Sequence, residues 1–256
     1  MITEEQIHFL SKKYQINESV VLREYLQLFF LNELYSEKTS EKIFFKGGTS
    51  LRLIYNSPRF SEDLDFTVEI KEKEFDKFIL ALFKKIEKKE AVTFKPKKTL
   101  VGKTFLLKNN SPLFSNKIFV RLDFSFREKV IDPQKSIINT DYPVLFTSYI
   151  YHLSKKEILA EKIRALLTRK KTKGRDFYDI WYLLNQNIEL DKKLINKKLK
   201  YYNLELNKDD VLKRIKNFSK KDFVLDIRPF IPVNERNGLG KLFDYLKKYL
   251  EQKLNF

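Results

Sequence analysis

Ile43-Phe44-Phe45 runs into Lys46-Gly47-Gly48-Thr49-Ser50-Leu51, and Arg59-Phe60-Ser61-Glu62-Asp63-Leu64-Asp65-Phe66 follows soon after. The apolar triplet reads as a short strand. A glycine pair directly behind it lets the backbone turn sharply, in a chain that holds only 6 Gly. Residues 49–55 read as a short helix or tight turn. The N–H groups exposed at its start form a place for an anion, to which Thr49 and Ser50 add hydroxyls. A plain turn with Thr49 as helix cap is the simpler alternative. Asp63-Leu64-Asp65-Phe66-Thr67-Val68 alternates polar and apolar, as a half-buried strand does. Its two acids then share one face, with Cα atoms roughly 6.5 Å apart. Carboxylates so placed repel unless a cation lies between them, and hard divalent ions such as Mg2+ suit the arrangement. An acid pair alone is more often structural. Behind a phosphate cradle, it is the equipment for metal-assisted phosphoryl or nucleotidyl transfer. Asp123, within Phe119-Val120-Arg121-Leu122-Asp123-Phe124-Ser125-Phe126, is the candidate third acid from a neighbouring strand.

Composition removes most competing classes. With 256 residues, 43% hydrophobic, 23 Phe and 13 Tyr, the chain can bury a core and does not read as disordered. Zero Cys excludes disulfides, cysteine-zinc sites, iron–sulfur clusters and thiol catalysis. His8 and His152 are the only histidines, which excludes multi-histidine metal sites. No apolar run approaches the roughly 18–20 residues that span a bilayer. Met1-Ile2-Thr3-Glu4-Glu5 opens on acids, unlike a signal peptide, so a soluble, cytoplasmic protein without a membrane partner is expected. Gly238-Leu239-Gly240-Lys241-Leu242 is no phosphate loop of the NTPase kind: Glu235 stands where the first Gly belongs and Leu242 where Ser or Thr belongs. Serine hydrolysis lacks its GxSxG. Lys and Arg number 51 against 34 Asp and Glu, for a net charge of +17. That sign favours polyanions, although AT-rich coding sequence also yields surface lysine.

Residues 18–34 read as a buried helix. Residues 71–89 read as a helix with Phe75, Phe78, Ile79, Leu82, Phe83 and Ile86 on one stripe. Strands are expected at 104–107 and 117–126, around a turn at Asn109-Asn110-Ser111-Pro112. From residue 154 the pattern is nearly all helical, and residues 191–221 carry 11 Lys or Arg against 4 acids. Two domains follow: an α/β core with N-terminal helices over 1–148, and a helical domain over 149–256. Within the helix of residues 157–167, Leu159, Ile163 and Leu166 share a stripe, and Lys162 projects from within it. Glu157, Glu161 and Arg164 take the opposite face, which is expected to be solvated. Lys162 either snorkels outward or reaches an anionic site. A basic loop, residues 168–174, leads to a helix beginning Arg175-Asp176-Phe177-Tyr178-Asp179. Asp176 lies nearer the apolar stripe of Phe177, Ile180 and Leu184 than Asp179 does. A helix-capping or dipole role is its simplest reading.

The first two segments resemble the first motif of the AbiEii/AbiGii toxin family. These are nucleotidyltransferases of the DNA polymerase β superfamily, with a Gly-Ser or Gly-Gly pair, a spacer and Asp-x-Asp. The Glu161-Lys162 helix, the basic loop and Arg175-Asp176-x-x-Asp179 are similar to the later motifs, so the resemblance spans residues 45–184. It implies an α+β fold: a polymerase-β-like core with a mixed sheet, plus a C-terminal helical domain. It implies a toxin of a type IV toxin–antitoxin system. Such an enzyme transfers a nucleoside monophosphate from an NTP to an acceptor, releases pyrophosphate and is opposed by an antitoxin. The 3′ end of tRNA is the implied acceptor and blocked translation the outcome. Asp63, Asp65 and Asp123 would hold Mg2+ or Mn2+, with Lys162 and Asp176 completing the catalytic set. Lys46, Gly47, Gly48, Thr49, Ser50, Arg59 and Ser61 would bind the nucleotide. Lys162 would hold the triphosphate and Asp176 would orient it, with Asp179 less favoured. Because these residues come from both halves, the active site is expected between them. Ser61 is further implied as a position where a phosphate would set negative charge against the metal, beside its simpler reading as a turn residue. RNA would meet residues 169–175 and 192–221 through phosphate contacts, and Tyr178, Tyr182, Tyr201 and Tyr202 could stack on unpaired bases. Two rivals remain. A small-molecule nucleotidyltransferase of the same fold would want the opposite charge. A catalytically silent nucleic-acid-binding protein would not need Asp63, Asp65, Lys162 and Asp176 intact.

Overall fold

The structure, a computed structural model, describes residues 2–110 and 118–254. Ser111-Pro112 of the expected turn and Lys117 of the expected strand lie outside the described residues. The chain divides into two compact units: residues up to 56 with 60–153, and residues 57–59 with those from 154 on.

The first unit is built on a sheet. Its helices are α1 (Glu4–Tyr14), α2 (Glu18–Tyr35), α3 (Gly47–Leu53) and α4 (Glu72–Lys89). Its strands are β1 (Ile43–Lys46), β2 (Asp63–Val68), β3 (Val92–Lys97), β4 (Lys103–Asn109), β5 (Phe119–Ser125), β6 (Pro133–Ser136) and β7 (Ile150–Leu153). They form one mixed seven-stranded sheet in the order β3-β4-β5-β2-β1-β7-β6. β2 pairs parallel with β5 and β1 parallel with β7, while the remaining pairs are antiparallel. α1 begins on a capping box, in which Thr3 and Gln6 satisfy each other's backbone N–H groups.

The alternation of β2 does the sorting expected of it. Leu64 and Phe66 turn to one face and are fully buried. Phe66 stacks on Phe124 of β5, with ring centroids 4.9 Å apart, and meets Phe30 of α2. Phe75 and Phe83 of α4 close the same layer against Phe124 and Phe94. Each such ring taken from water contributes about 1.5–3 kcal/mol, so this aromatic layer carries much of the first unit's stability. The opposite face is left for Asp63 and Asp65.

The second unit is helical: α5 (Lys155–Thr168), α6 (Gly174–Asn185), α7 (Lys192–Lys200), α8 (Lys208–Lys216), α9 (Lys220–Ile227) and α10 (Leu239–Lys253). Residues 149–153, expected in the helical half, instead form β7 and the segment leading into it, in the first unit. Phe177 stacks on Phe218 at 4.6 Å. Gly174 starts α6 with its backbone against Phe223 of α9, and its N–H donates to Asp226. Glu157 and Glu161 depart from the solvated face expected for them. Both are buried and hold the fully buried Lys198, at 2.6 and 3.3 Å. A one-helix projection cannot see that α7 covers this face.

Candidate active site

Strand register assembles the acidic face of the first unit. β2 lies between β1 and β5, so Asp65 faces Lys46 on one side and Asp123 on the other. Asp63 faces Arg121. Laterally paired residues share a sheet face, and residues two apart on one strand do too. Asp63, Asp65, Asp123, Arg121 and Lys46 therefore all belong to the face opposite the aromatic layer. Arg121 pairs with Asp123 at 2.6 Å, and Thr104 of β4 donates to the other oxygen of Asp123 at 2.5 Å. Burial first, and then the charge of Asp65, push the Asp63 carboxyl up to about 6. Glu62 and Asp123 act in the same direction, and Arg121 opposes them.

Gly47 is required twice. Its φ is +81°, in the region that other residues rarely adopt, and a Cβ at this position would overlap Oδ2 of Asp65. The turn after β1 therefore presses its bare backbone against the second carboxylate. Thr49 and Ser50 point elsewhere. The Thr49 hydroxyl donates to the backbone carbonyl of Asp63 at 2.5 Å, tying α3 to the start of β2. Both side chains are fully buried, and among the described residues the Ser50 hydroxyl has no hydrogen-bond partner. Ser61 is partly exposed, and its carbonyl accepts from Gln27 at 3.1 Å.

In the second unit a chain of charges surrounds Lys162. Its ammonium lies 2.7 Å from Asp179 and 3.2 Å from Asp176. Asp176 also accepts from Arg169, and Asp179 receives Arg59 through both oxygens at 2.9 Å. Arg59, expected on the nucleotide, is 2% exposed and committed to Asp179. Burial works against ionisation of Asp179. Arg59 and Lys162 outweigh it and hold its carboxyl below the usual range. Both acids thus orient Lys162, and the one the sequence reading favoured less makes the shorter contact. Arg59 and Asp179 are 120 positions apart, a pairing that no spacing announces. Tyr178 is buried against Trp181, while Arg164 lies over the Tyr202 ring at 4.9 Å.

A divalent ion suits the oxygen donors of Asp63 and Asp65, which share one face of β2 and whose charges oppose each other there. Among the described residues no group of three or more His, Cys, Asp or Glu is arranged to hold a metal ion. Asp123 is engaged by Arg121 and Thr104, which leaves the pair as the donors that fit.

No curated protein matches the chain. Among solved structures it resembles MenT4, a nucleotidyltransferase toxin of Mycobacterium tuberculosis, at 18% identity and a TM-score of 0.62, covering 100% of this chain and 94% of that one. It also resembles JHP933 of Helicobacter pylori at 19% identity and a TM-score of 0.52, over 93% and 94% of the two chains. At such identities these likenesses show the fold. The sequence profile of the nucleotidyl transferase AbiEii toxins of type IV toxin–antitoxin systems matches residues 30–244, beyond both ends of the motif blocks. An α+β core with paired acids on one face of a mixed sheet, a helical second unit and this match over most of the chain agree: the protein belongs to the AbiEii nucleotidyltransferase toxin family.

Proposed function

We propose that this nucleotidyltransferase toxin moves a nucleoside monophosphate from an NTP to the 3′ end of an RNA, with tRNA as the acceptor, and so stops translation. The observation that carries the chemistry is the acidic row on the face of β2 and β5, where Asp63 is pushed up to about 6 by burial and by Asp65. Such a row is poorly stable empty and well suited to a cation. Asp63 and Asp65 would hold a divalent ion, Mg2+ or Mn2+, which when bound offsets triphosphate charge and sharpens the acceptor hydroxyl as a nucleophile. Asp123, in register with Asp65 and with its carboxylate held by Arg121 and Thr104, would complete the acidic face. Lys46, Gly47 and Gly48 would line the phosphates, Gly47 because it offers bare backbone beside Asp65. Ser61 would follow at the edge of the nucleotide. Thr49, Ser50 and Arg59 act one step back, by fixing α3, β2 and Asp179 in place.

In the second unit Lys162 would bind the triphosphate and offset charge on the departing pyrophosphate. Asp176 and Asp179 hold its ammonium from two sides, so its direction is set before a ligand arrives. The transfer is an in-line displacement at the α-phosphorus: the 3′ oxygen forms the new P–O bond and pyrophosphate leaves. A net charge of +17 supports a polyanionic acceptor over a small cationic one. An antitoxin is the expected partner in a type IV system. The cellular test is to induce the protein, then sequence tRNA 3′ ends and measure protein synthesis. Nucleotides added beyond the mature 3′ end, with synthesis arrested, are expected. Arrest with unmodified tRNA ends would overturn the acceptor.

A further inference from the structure

The second unit contains an open cleft of about 570 Å3 that the reaction leaves unassigned. Leu167 at the end of α5, Lys170 and Lys171 of the following loop, Leu204, and Lys213 and Arg214 of α8 line it. Its volume is that of a site for one nucleotide-sized ligand. Two of the cations are already engaged: Arg214 donates to the Leu167 carbonyl, and Lys171 lies 3.8 Å from Asp222. Among the described residues no ion pair holds Lys170 or Lys213, and both are exposed. Leu204 is 43% exposed beside them. The cleft therefore sets two available positive charges next to an apolar surface, which suits a phosphate joined to a base.

We infer that this cleft receives an unpaired nucleotide of the acceptor RNA, its phosphates on Lys170 and Lys213 and its base against Leu167 and Leu204. The inference rests on the RNA-acceptor reading and adds where the acceptor strand is gripped. Glu205, Asp210 and Asp222 line the same cleft. A continuous duplex backbone crossing it would meet these carboxylates. A single unstacked nucleotide can turn its phosphate to the lysines and a base amino group to Asp210. The loop carrying Lys170 also begins at Arg169, whose guanidinium is bound to Asp176, one of the two acids holding Lys162. A strand seated on Lys170 is thus tied, through one loop, to the lysine proposed for the triphosphate.

The test is fluorescence anisotropy of a labelled RNA hairpin with a single-stranded 3′ tail, on full-length wild type and on the double variant Lys170→Glu/Lys213→Glu. Binding of an NTP is measured alongside. The variant should bind the RNA at least tenfold more weakly. Its affinity should fall less steeply with salt, by about 1.4 in log–log slope for two lost phosphate contacts on single-stranded nucleic acid. NTP binding should be unchanged. Equal RNA binding by both proteins overturns the cleft assignment, leaves the transferase reading intact and turns the cleft over to an acidic protein segment. No RNA binding by wild type overturns the RNA-acceptor reading itself. As a check that needs no substitution, 4-thiouridine in the tail of the same probe should crosslink to residues 167–172 or 204–219 of wild type, which line the cleft; crosslinks found only outside these two stretches overturn the proposal.

Discussion

Asp63 is held where its own ionisation is opposed, by burial and by Asp65, and both effects vanish when the chain unfolds. The carboxyl titrates at about 6 folded and at about 4 unfolded. Between those values the folded chain keeps a proton that the unfolded chain has lost. The stability linked to Asp63 is therefore full below about pH 4 and is lost as pH rises through about 6. Asp63→Asn should raise stability at pH 7.5 by about 1–3 kcal/mol and flatten this part of the pH profile, while abolishing transfer. Urea unfolding followed at several pH values checks it, and a variant less stable than wild type at pH 7.5 would contradict it. Gly47→Ala is the opposite case. Its φ of +81° and the overlap with Asp65 should cost more than about 1 kcal/mol and displace the carboxylate. Activity should then fall further than stability; calorimetry and single-turnover rates separate the two. The acid pair was legible in the sequence because alternation fixes which residues share a face. The commitment of Thr49 to the Asp63 carbonyl was not, because it depends on how α3 packs.

At the scale of elements, β2 and α4 were legible from their apolar periods and α2 from helix-forming residues apolar on most faces, and the structure gives them nearly the bounds the sequence implies. β6 was not, because Pro133-Gln134-Lys135-Ser136 carries no apolar alternation and pairs only as a sheet edge. β7 was missed because its four residues run almost directly into α5 and read as part of the helical half. Packing between helices decides the fate of charges that one helix cannot reveal. Lys198→Met removes the buried cation that Glu157 and Glu161 share, which should cost about 3–5 kcal/mol in the second unit. Replacing all three residues by apolar ones of similar volume should restore most of that loss. Thermal unfolding by circular dichroism reads both, and a Lys198→Met protein as stable as wild type would refute the buried triad. Asp179→Asn should likewise destabilise the second unit by leaving Arg59 buried without its bidentate partner. If Asp179 also orients Lys162, triphosphate affinity should fall at temperatures where the variant remains folded, as titration calorimetry would report.

For the molecule as a whole, a charge of +17 would govern how it meets the proposed RNA acceptor. Association with RNA should weaken steeply with ionic strength, whereas the buried contacts around Lys162 and Lys198 should hardly respond to salt. Sequence alone exposed the residue pattern of the two motif blocks and the division into an α/β part and a helical part. It did not expose the register that aligns Asp65 with Asp123, nor the partners that α7 brings to α5. Those depend on contacts between residues far apart in the chain. Asp63 and Asp65 are proposed here as the metal-holding heart of a nucleotide transfer. The most direct test is incubation of purified wild type and Asp63→Asn with tRNA, Mg2+ and each α-32P-labelled nucleoside triphosphate in turn. Label should appear on the tRNA with wild type and be absent with Asp63→Asn; label transferred equally by the two proteins would contradict the claim.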